Sequence, residues 1–389
     1  MAQFGLSGEQ ERYVEHVRDL ATTELEVPPG EDGRVNRPLL RELGRLGLLR
    51  GLFGGDPDEP VAAGGDAAAL QLCLLRETLA TVSTEAETAL ALQGLGSYPI
   101  LQSGTPGTVE RWLPGVVSGE VVAAFALSEP GAGSDAAALR LRAERDDEGW
   151  LLTGEKTWIS NAPEADVYTV FARTTHGAGA KGVTAFAVPG DAEGLTGEPL
   201  DMLAPHALGT LRFDGVRVGP EDLLGDLDAG FTVAMRTLDL FRPSVGAFAV
   251  GMAQAALDAT VRWSLERQVY GGPLHAQQSV QHTLAEMATR VQAARLLVRS
   301  AASAYDSGVL AREITEAAAM AKLFATESAQ WVVDQAVQLH GARALQRGHL
   351  LEHLYREVRA PRIYEGASEV QRTIIGRSLV RREQQRGTQ

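Results

Sequence analysis

Near the C-terminal end of the chain, Tyr364-Glu365-Gly366 sets a carboxylate on a Gly-marked turn between two helical stretches. A glutamate carried there can reach into a cleft and act as a base, although most glutamates simply face water. Three other segments suit a flat, phosphate-bearing ligand. Ala126-Leu127-Ser128-Glu129-Pro130-Gly131-Ala132-Gly133-Ser134-Asp135 follows an apolar run. Its glycines and proline force a tight loop whose backbone N–H groups can approach a ligand closely. Lys156-Thr157-Trp158-Ile159-Ser160-Asn161-Ala162 puts an indole beside hydroxyls and an amide. Such a set can cover an aromatic ring and hydrogen-bond its edge. Arg267 falls in the last turn of a helix stopped by Gly271-Gly272-Pro273, where its guanidinium can clamp a diphosphate. Taken singly, the four segments equally describe a strand turn, a core tryptophan, an arginine answering a helix dipole and a solvated glutamate.

These side chains need a scaffold, and the pattern of the chain supplies one of class α+β. Residues 1–117 read as an N-terminal α-helical domain, 118–228 as a middle β-domain and 229–389 as a C-terminal helical bundle. Ser7-Gly8-Glu9-Gln10 has the form of a capping box. Pro38–Leu49 and Ala68–Leu92 carry apolar residues at helical spacing, and Gly51–Asp66 between them is rich in loop formers. Short alternating runs predict strands at Val121–Leu127, Leu139–Ala143, Trp150–Thr153, Val167–Ala172, Val183–Val188 and Leu211–Val218, enough for a small sandwich or barrel. Long helical periodicity covers Ala249–Gln268, Ser279–Ser303, Ile314–His340 and Glu369–Glu383. Met320, Leu323, Phe324, Trp331 and Val332 form a stripe expected to face the bundle core, and Ser368 is placed to cap the last helix.

Composition narrows the function classes. The chain has 389 residues, 44% hydrophobic, with 50 acids against 36 bases and a net charge of −14. Such a surface repels phosphate backbones and anionic lipid, so neither nucleic acid nor membrane is an expected partner. No unbroken apolar run reaches the ~18 residues of a membrane span. The N-terminal sequence lacks the features of an export signal, and the single cysteine, Cys73, fits a reducing cytoplasm. Lysine occurs only at 156, 181 and 322, a bias read as a GC-rich gene. No metal is expected.

The four segments, in this order and across this helix–strand–helix pattern, resemble the acyl-CoA dehydrogenase family. Leu95-Gly96-Ser97-Tyr98-Pro99-Ile100, Arg242-Pro243 and Ala249-Val250-Gly251-Met252-Ala253-Gln254 extend the resemblance over nearly the whole chain. It implies an N-terminal helical domain, a middle β-domain and a C-terminal four-helix bundle, in a homotetramer or dimer, with FAD between β-domain and bundle. It further implies that Leu127 and Ser128 bond the flavin pyrimidine, Trp158 covers the ring and Ser160 approaches N5. Arg267, Tyr270 and Gln278 would grip the diphosphate and adenine end from another subunit, and Gln338 and Gly341 match a further FAD-binding stretch. Ser134, Asp239, Arg242, Tyr364 and Gly366 would line the thioester pocket. Glu365 would remove the α proton of an acyl-CoA, and an electron-transferring flavoprotein would take the electrons.

The chain departs from the family pattern at Ala342, Arg343-Ala344, Glu357 and Ala367, and in the loop Asp201–Gly209 around His206. Phe241 is bulky beside Arg242. Glu87 falls on the helix that would floor the acyl pocket, where a polar group suits a short or functionalised chain; a shift of one residue would leave it exposed. These departures keep three alternatives open: an acyl-carrier-protein thioester as substrate, an oxidase using O₂, and a non-catalytic binding protein.

Overall fold

Ser7 opens the first helix through the expected capping box: its Oγ accepts from the Gln10 N–H at 3.2 Å, and Gln10 Oε1 accepts from the Ser7 N–H at 2.9 Å. The structure, a computed structural model, describes residues 5–54 and 59–386. Five helices come first: α1 (Gly8–Asp19), α2 (Arg37–Arg45), α3 (Ala69–Val82), α4 (Thr84–Ser103) and α5 (Pro106–Ser118). The run expected as one helix over Ala68–Leu92 is thus two, parted at Ser83. Both are buried along much of their length, so apolar periodicity alone did not reveal the break. Of the expected loop Gly51–Asp66, residues 55–58 lie outside the described residues.

The strands are β1 (Ala123–Ala126), β2 (Arg142–Arg145), β3 (Trp150–Ser160), β4 (Val167–Arg173), β5 (Val183–Pro189), β6 (Leu195–Pro199), β7 (Leu208–Val218) and β8 (Leu223–Leu224). They form one hydrogen-bonded network in the order β6-β7-β3-β2-β4-β5-β8, with β1 parallel to β4. β6 escaped the sequence pattern because it is a largely exposed edge strand without apolar alternation. The long α6 (Gly230–Glu266) follows, then a hairpin of β9 (Gln268–Val269) and β10 (Gly272–Pro273). The chain ends in α7 (Gln278–Asp306), α8 (Ala311–His340), α9 (Leu350–Glu357) and α10 (Ser368–Arg386). Helical ends around a central sheet agree with the α+β class.

Two compact units emerge. One gathers the described residues up to Thr22, Ala69–Thr84 and those from Asp239 onward; the other holds Thr23–Ala68 and Glu85–Leu238. In the first, α7 packs along α8, which also carries α9 and α10. The core face of α8 is not the expected aromatic stripe. Phe324 is exposed, and Met320, Leu323 and Trp331 are only half-buried. The buried face is instead Ala318, Ala321, Ala325, Ala329, Val332 and Ala336. Small residues let helices approach closely: a Cβ on Gly246 of α6 would meet Val298 of α7 at 2.7 Å and Ala325 of α8 at 3.4 Å. By length and apolarity α6 could cross a membrane, but its apolar window is 78% buried in the molecule, which makes it a core helix.

In the second unit, Val122, Tyr168, Val170, Phe186, Leu211 and Phe213 belong to one buried cluster. α4 lies on β1 at Gly96, where a Cβ would meet the Ala124 nitrogen at 2.5 Å. Thr169 Oγ1 of β4 donates to the Gly96 carbonyl at 2.8 Å and locks that approach.

Candidate active site

Glu365 sits in the turn between α9 and α10 with φ of +51°, a left-handed conformation that costs a non-glycine residue about 1 kcal/mol or more. Gly366 follows at φ +94°. Three donors hold the turn by consecutive carbonyls. Lys322 Nζ of α8 donates to Tyr364 O at 2.9 Å and to Gly366 O at 2.7 Å. Arg242 Nε of α6 donates to Glu365 O at 3.4 Å, and Gln371 Nε2 of α10 donates to Glu365 O at 3.3 Å and Gly366 O at 2.9 Å. Ser368 does not cap α10 as expected. It is the helix's first residue, and its hydroxyl donates to Glu327 at 2.7 Å.

Glu365 as a whole is half-buried, yet its Oε2 is fully buried with no hydrogen-bond partner. Burial pushes its pKa above the ordinary carboxylate range, against the pull of Arg76, Lys322 and Arg242. Arg76 lies buried on α3, its guanidinium donating to Ser244 Oγ at 2.6 Å. Arg242 pairs with Asp239 at 3.2 Å, and Thr315 donates to the other Asp239 oxygen at 2.7 Å. Desolvation dominates both members of that pair, raising the Asp239 pKa and lowering that of Arg242. Tyr364, Glu365, Gly366, Asp239 and Arg242 are therefore brought together, and Lys322 and Arg76 join them unannounced.

The second unit brings together Leu127, Ser128, Trp158 and Ser160. Fully buried Lys156 donates to Leu127 O at 2.9 Å and Glu129 Oε1 at 2.8 Å. The Glu129 carboxylate also accepts the N–H groups of Arg140 at 2.6 Å and Leu141 at 2.9 Å. Thr157 N–H donates to Ser128 O at 3.1 Å, so the loop after β1 is stitched to β3 on both sides of Ser128. Burial lowers the Lys156 pKa to about 8, against the Glu129 carboxylate that favours its charge. β3 shifts register against β7 between Lys156 and Ile159. This bulge holds Trp158 at φ +56° and leaves its indole 51% exposed. It is not the core tryptophan that its setting also allowed. Ser134 is exposed on the same loop.

A third cluster lies at the end of α6. Arg267 is one residue beyond the helix rather than in its last turn, and its N–H bonds Trp263 O at 2.9 Å. A cavity of about 420 Å³ joins Arg267, Gln338 and Gly341 with Trp263, His340 and Arg343. The Trp263 and His340 rings stack at 5.3 Å, and Arg343 lies over Trp263 at 4.9 Å. Tyr270 and Gln278 do not line this cavity. Tyr270 caps the β9–β10 hairpin and is 98% exposed; Gln278 is exposed at the start of α7. Of the departures from pattern, Glu87 and Phe241 are buried rather than solvated, and His206 is half-buried before β7.

Three family models match the chain in order: the acyl-CoA dehydrogenase N-terminal domain over residues 7–120, the middle domain over 124–216 and the C-terminal domain over 228–380. The cyclohexane-1-carbonyl-CoA dehydrogenase of Geobacter metallireducens is 36% identical over 352 residues, 90% of each chain. The structure of butyryl-CoA dehydrogenase from Megasphaera elsdenii is similar at a TM-score of 0.88 and 34% identity, covering 97% of this chain and 100% of that one. A chain in a structure of the electron transferring flavoprotein of Acidaminococcus fermentans is similar at a TM-score of 0.89 and 32% identity, with the same coverage.

Proposed function

The chain belongs to the acyl-CoA dehydrogenase family, and from that premise we propose that it converts an acyl-CoA to the trans-2-enoyl-CoA with Glu365 as the base. It is a flavoprotein oxidoreductase, and its cofactor is FAD. Two features of the residues fit that group. Trp158 offers an indole held out of the core by a bulge, beside Leu127, Ser128 and Ser160. The cavity at Arg267, Gln338 and Gly341 combines cations with stacked rings, a lining suited to a diphosphate and an adenine. Leu127, Ser128, Trp158 and Ser160 would hold the flavin ring; Arg267, Gln338 and Gly341, with Tyr270 and Gln278, would hold the diphosphate and adenine end. When bound, FAD supplies the acceptor for the β hydride.

The chain's own residues govern the proton. A carbon acid beside a thioester is too weak for a solvated carboxylate, so the base must be strengthened and the carbonyl polarised. Burial of Glu365 strengthens the base. Its backbone N–H is the donor proposed for the thioester carbonyl, a contribution of about 3 kcal/mol if such a donor is removed. Glu365 takes the α proton, the α C–H electrons form the Cα=Cβ bond, and the β carbon gives up a hydride. Ser134, Asp239, Arg242, Tyr364 and Gly366 would line the path of the thioester.

The observation that carries this reading is the buried, unpartnered Glu365 oxygen on a turn fixed by three donors. Adding acyl-CoA thioesters anaerobically to the purified flavoprotein should bleach its absorbance at ~450 nm with at least one member of a chain-length panel. Glu365→Gln should keep the flavin and lose the bleaching; full bleaching by that variant would remove Glu365 from the role. The neighbouring butyryl-CoA and cyclohexane-1-carbonyl-CoA dehydrogenases favour CoA as the carrier, and the flavoprotein structure favours an electron-transferring flavoprotein as acceptor. The matched segments also support dividing the chain near residues 117 and 228.

A further inference from the structure

We propose that Lys322 is the positioning residue of the base: its ammonium fixes the peptide planes on either side of Glu365, and so fixes where that residue's carboxyl and backbone N–H point. The inference rests on the reading of Glu365 as base. Lys322 is fully buried on α8, and its ammonium donates to the carbonyls of Tyr364 and Gly366 at 2.9 and 2.7 Å. In a trans peptide the C=O and N–H point in opposite directions. The Tyr364 carbonyl, turned onto Lys322, therefore directs the Glu365 N–H to the opposite side of the turn. The intervening Glu365 carbonyl is taken separately by Arg242 and Gln371.

A left-handed glutamate persists only where its surroundings over-determine it, and Lys322 supplies two of the contacts that do so. Lysine suits the task better than arginine, because a compact ammonium can donate to two carbonyls two residues apart, whereas a planar fork favours one bidentate acceptor. The charge is costly to bury, and burial lowers its pKa to about 8. It donates to carbonyls rather than to a carboxylate, and Glu365, Glu327 and Glu369 act on it through space.

The test compares Lys322→Met and Lys322→Gln with Glu365→Gln, all as holoenzymes. The Met variant should keep its flavin and its KM while kcat falls ~100-fold, the scale of a lost transition-state donor. The Gln variant, which keeps an uncharged donor, should lose less. The acid limb of kcat/KM should move to higher pH in the Met variant. Of the three cations facing Glu365, only Arg76 of α3 and Arg242 of α6 would then remain to hold its pKa down. A binding readout avoids turnover altogether. In the Glu365→Gln background, butyryl-CoA should bind more tightly than its S-butyl thioether, and adding Lys322→Met should erase that preference. Should the Met variant fail to fold, the Gln variant decides by the same measurements. Wild-type kcat, acid limb and thioester preference in a Lys322 variant, with Glu365→Gln inactive, would overturn this inference alone. An active Glu365→Gln enzyme would overturn the reading beneath it as well.

Discussion

At the scale of single residues, a base held in a dry site should cost the protein stability. The Glu365 carboxyl loses water and gains no hydrogen bond at Oε2, and burial raises its pKa above that of the unfolded chain. A raised acid pKa means that the fold favours the protonated form. Its contribution to stability is therefore present below the unfolded value near ~4.3 and is lost as pH rises through the folded value. Glu365→Gln, which mimics the protonated form, should be more stable than wild type at pH 7 by about 1 kcal/mol or more. The gap should close as pH falls into the carboxylate range. Thermal melts of the two proteins at several pH values check this; a variant less stable at pH 7 would mean that Arg76, Lys322 and Arg242 outweigh desolvation. The sequence made Glu365 legible because a Gly beside it marks a turn. It hid Lys322 and Lys156, although the signal was present. In a chain with only three lysines, two are fully buried, each donating to backbone carbonyls. A compositional bias explains the scarcity of lysine but not the places where it is kept.

At the scale of elements, the site depends on two close approaches that only glycine permits. Gly366 adopts φ +94°, and a Cβ there would lie 2.4 Å from Gln371 Nε2, the amide that holds the turn. Gly366→Ala should cost about 1–3 kcal/mol and lower kcat more than KM, because the displaced amide frees the Glu365 carbonyl. Gly96 is the second. A Cβ would meet backbone of β1 at 2.5 Å, and backbone cannot yield as a side-chain tip can. Gly96→Ala should cost about 1–3 kcal/mol in a denaturant melt. It should also weaken FAD retention, since β1 runs directly into Leu127 and Ser128. Unchanged stability and flavin content would show that α4 can slide without disturbing the loop. Periodicity gave α7, α8 and α10 to within about three residues at most ends, because long helices repeat their signal many times. It failed where the signal was short or ambiguous: at the α3–α4 break, at polar edge strand β6, and on α8, where alanines rather than large residues make the buried face.

At the scale of the whole molecule, one side chain is too exposed to serve its own chain. Tyr270 stands at the tip of the β9–β10 hairpin with 98% of its surface open, and its φ of +47° presents it outward beside Gly271. A large aromatic so displayed gains nothing from burial within the protomer, so replacing it should leave the protomer's fold intact. Arg267, by contrast, lines a cavity at the base of the same hairpin. The division of labour follows if the tip reaches the cofactor of another copy while the base serves the cavity, which is the homo-oligomeric arrangement proposed for FAD. Tyr270→Ala should then keep the circular dichroism spectrum and melting temperature of the flavin-free protein. It should lose FAD faster on dialysis and, once stripped, require higher FAD for reactivation. Because FAD that binds only the folded assembly stabilises it by mass action, the melting temperature of the loaded protein should fall as well. Wild-type FAD retention in the Ala variant would confine flavin binding to contacts that leave the hairpin tip unused.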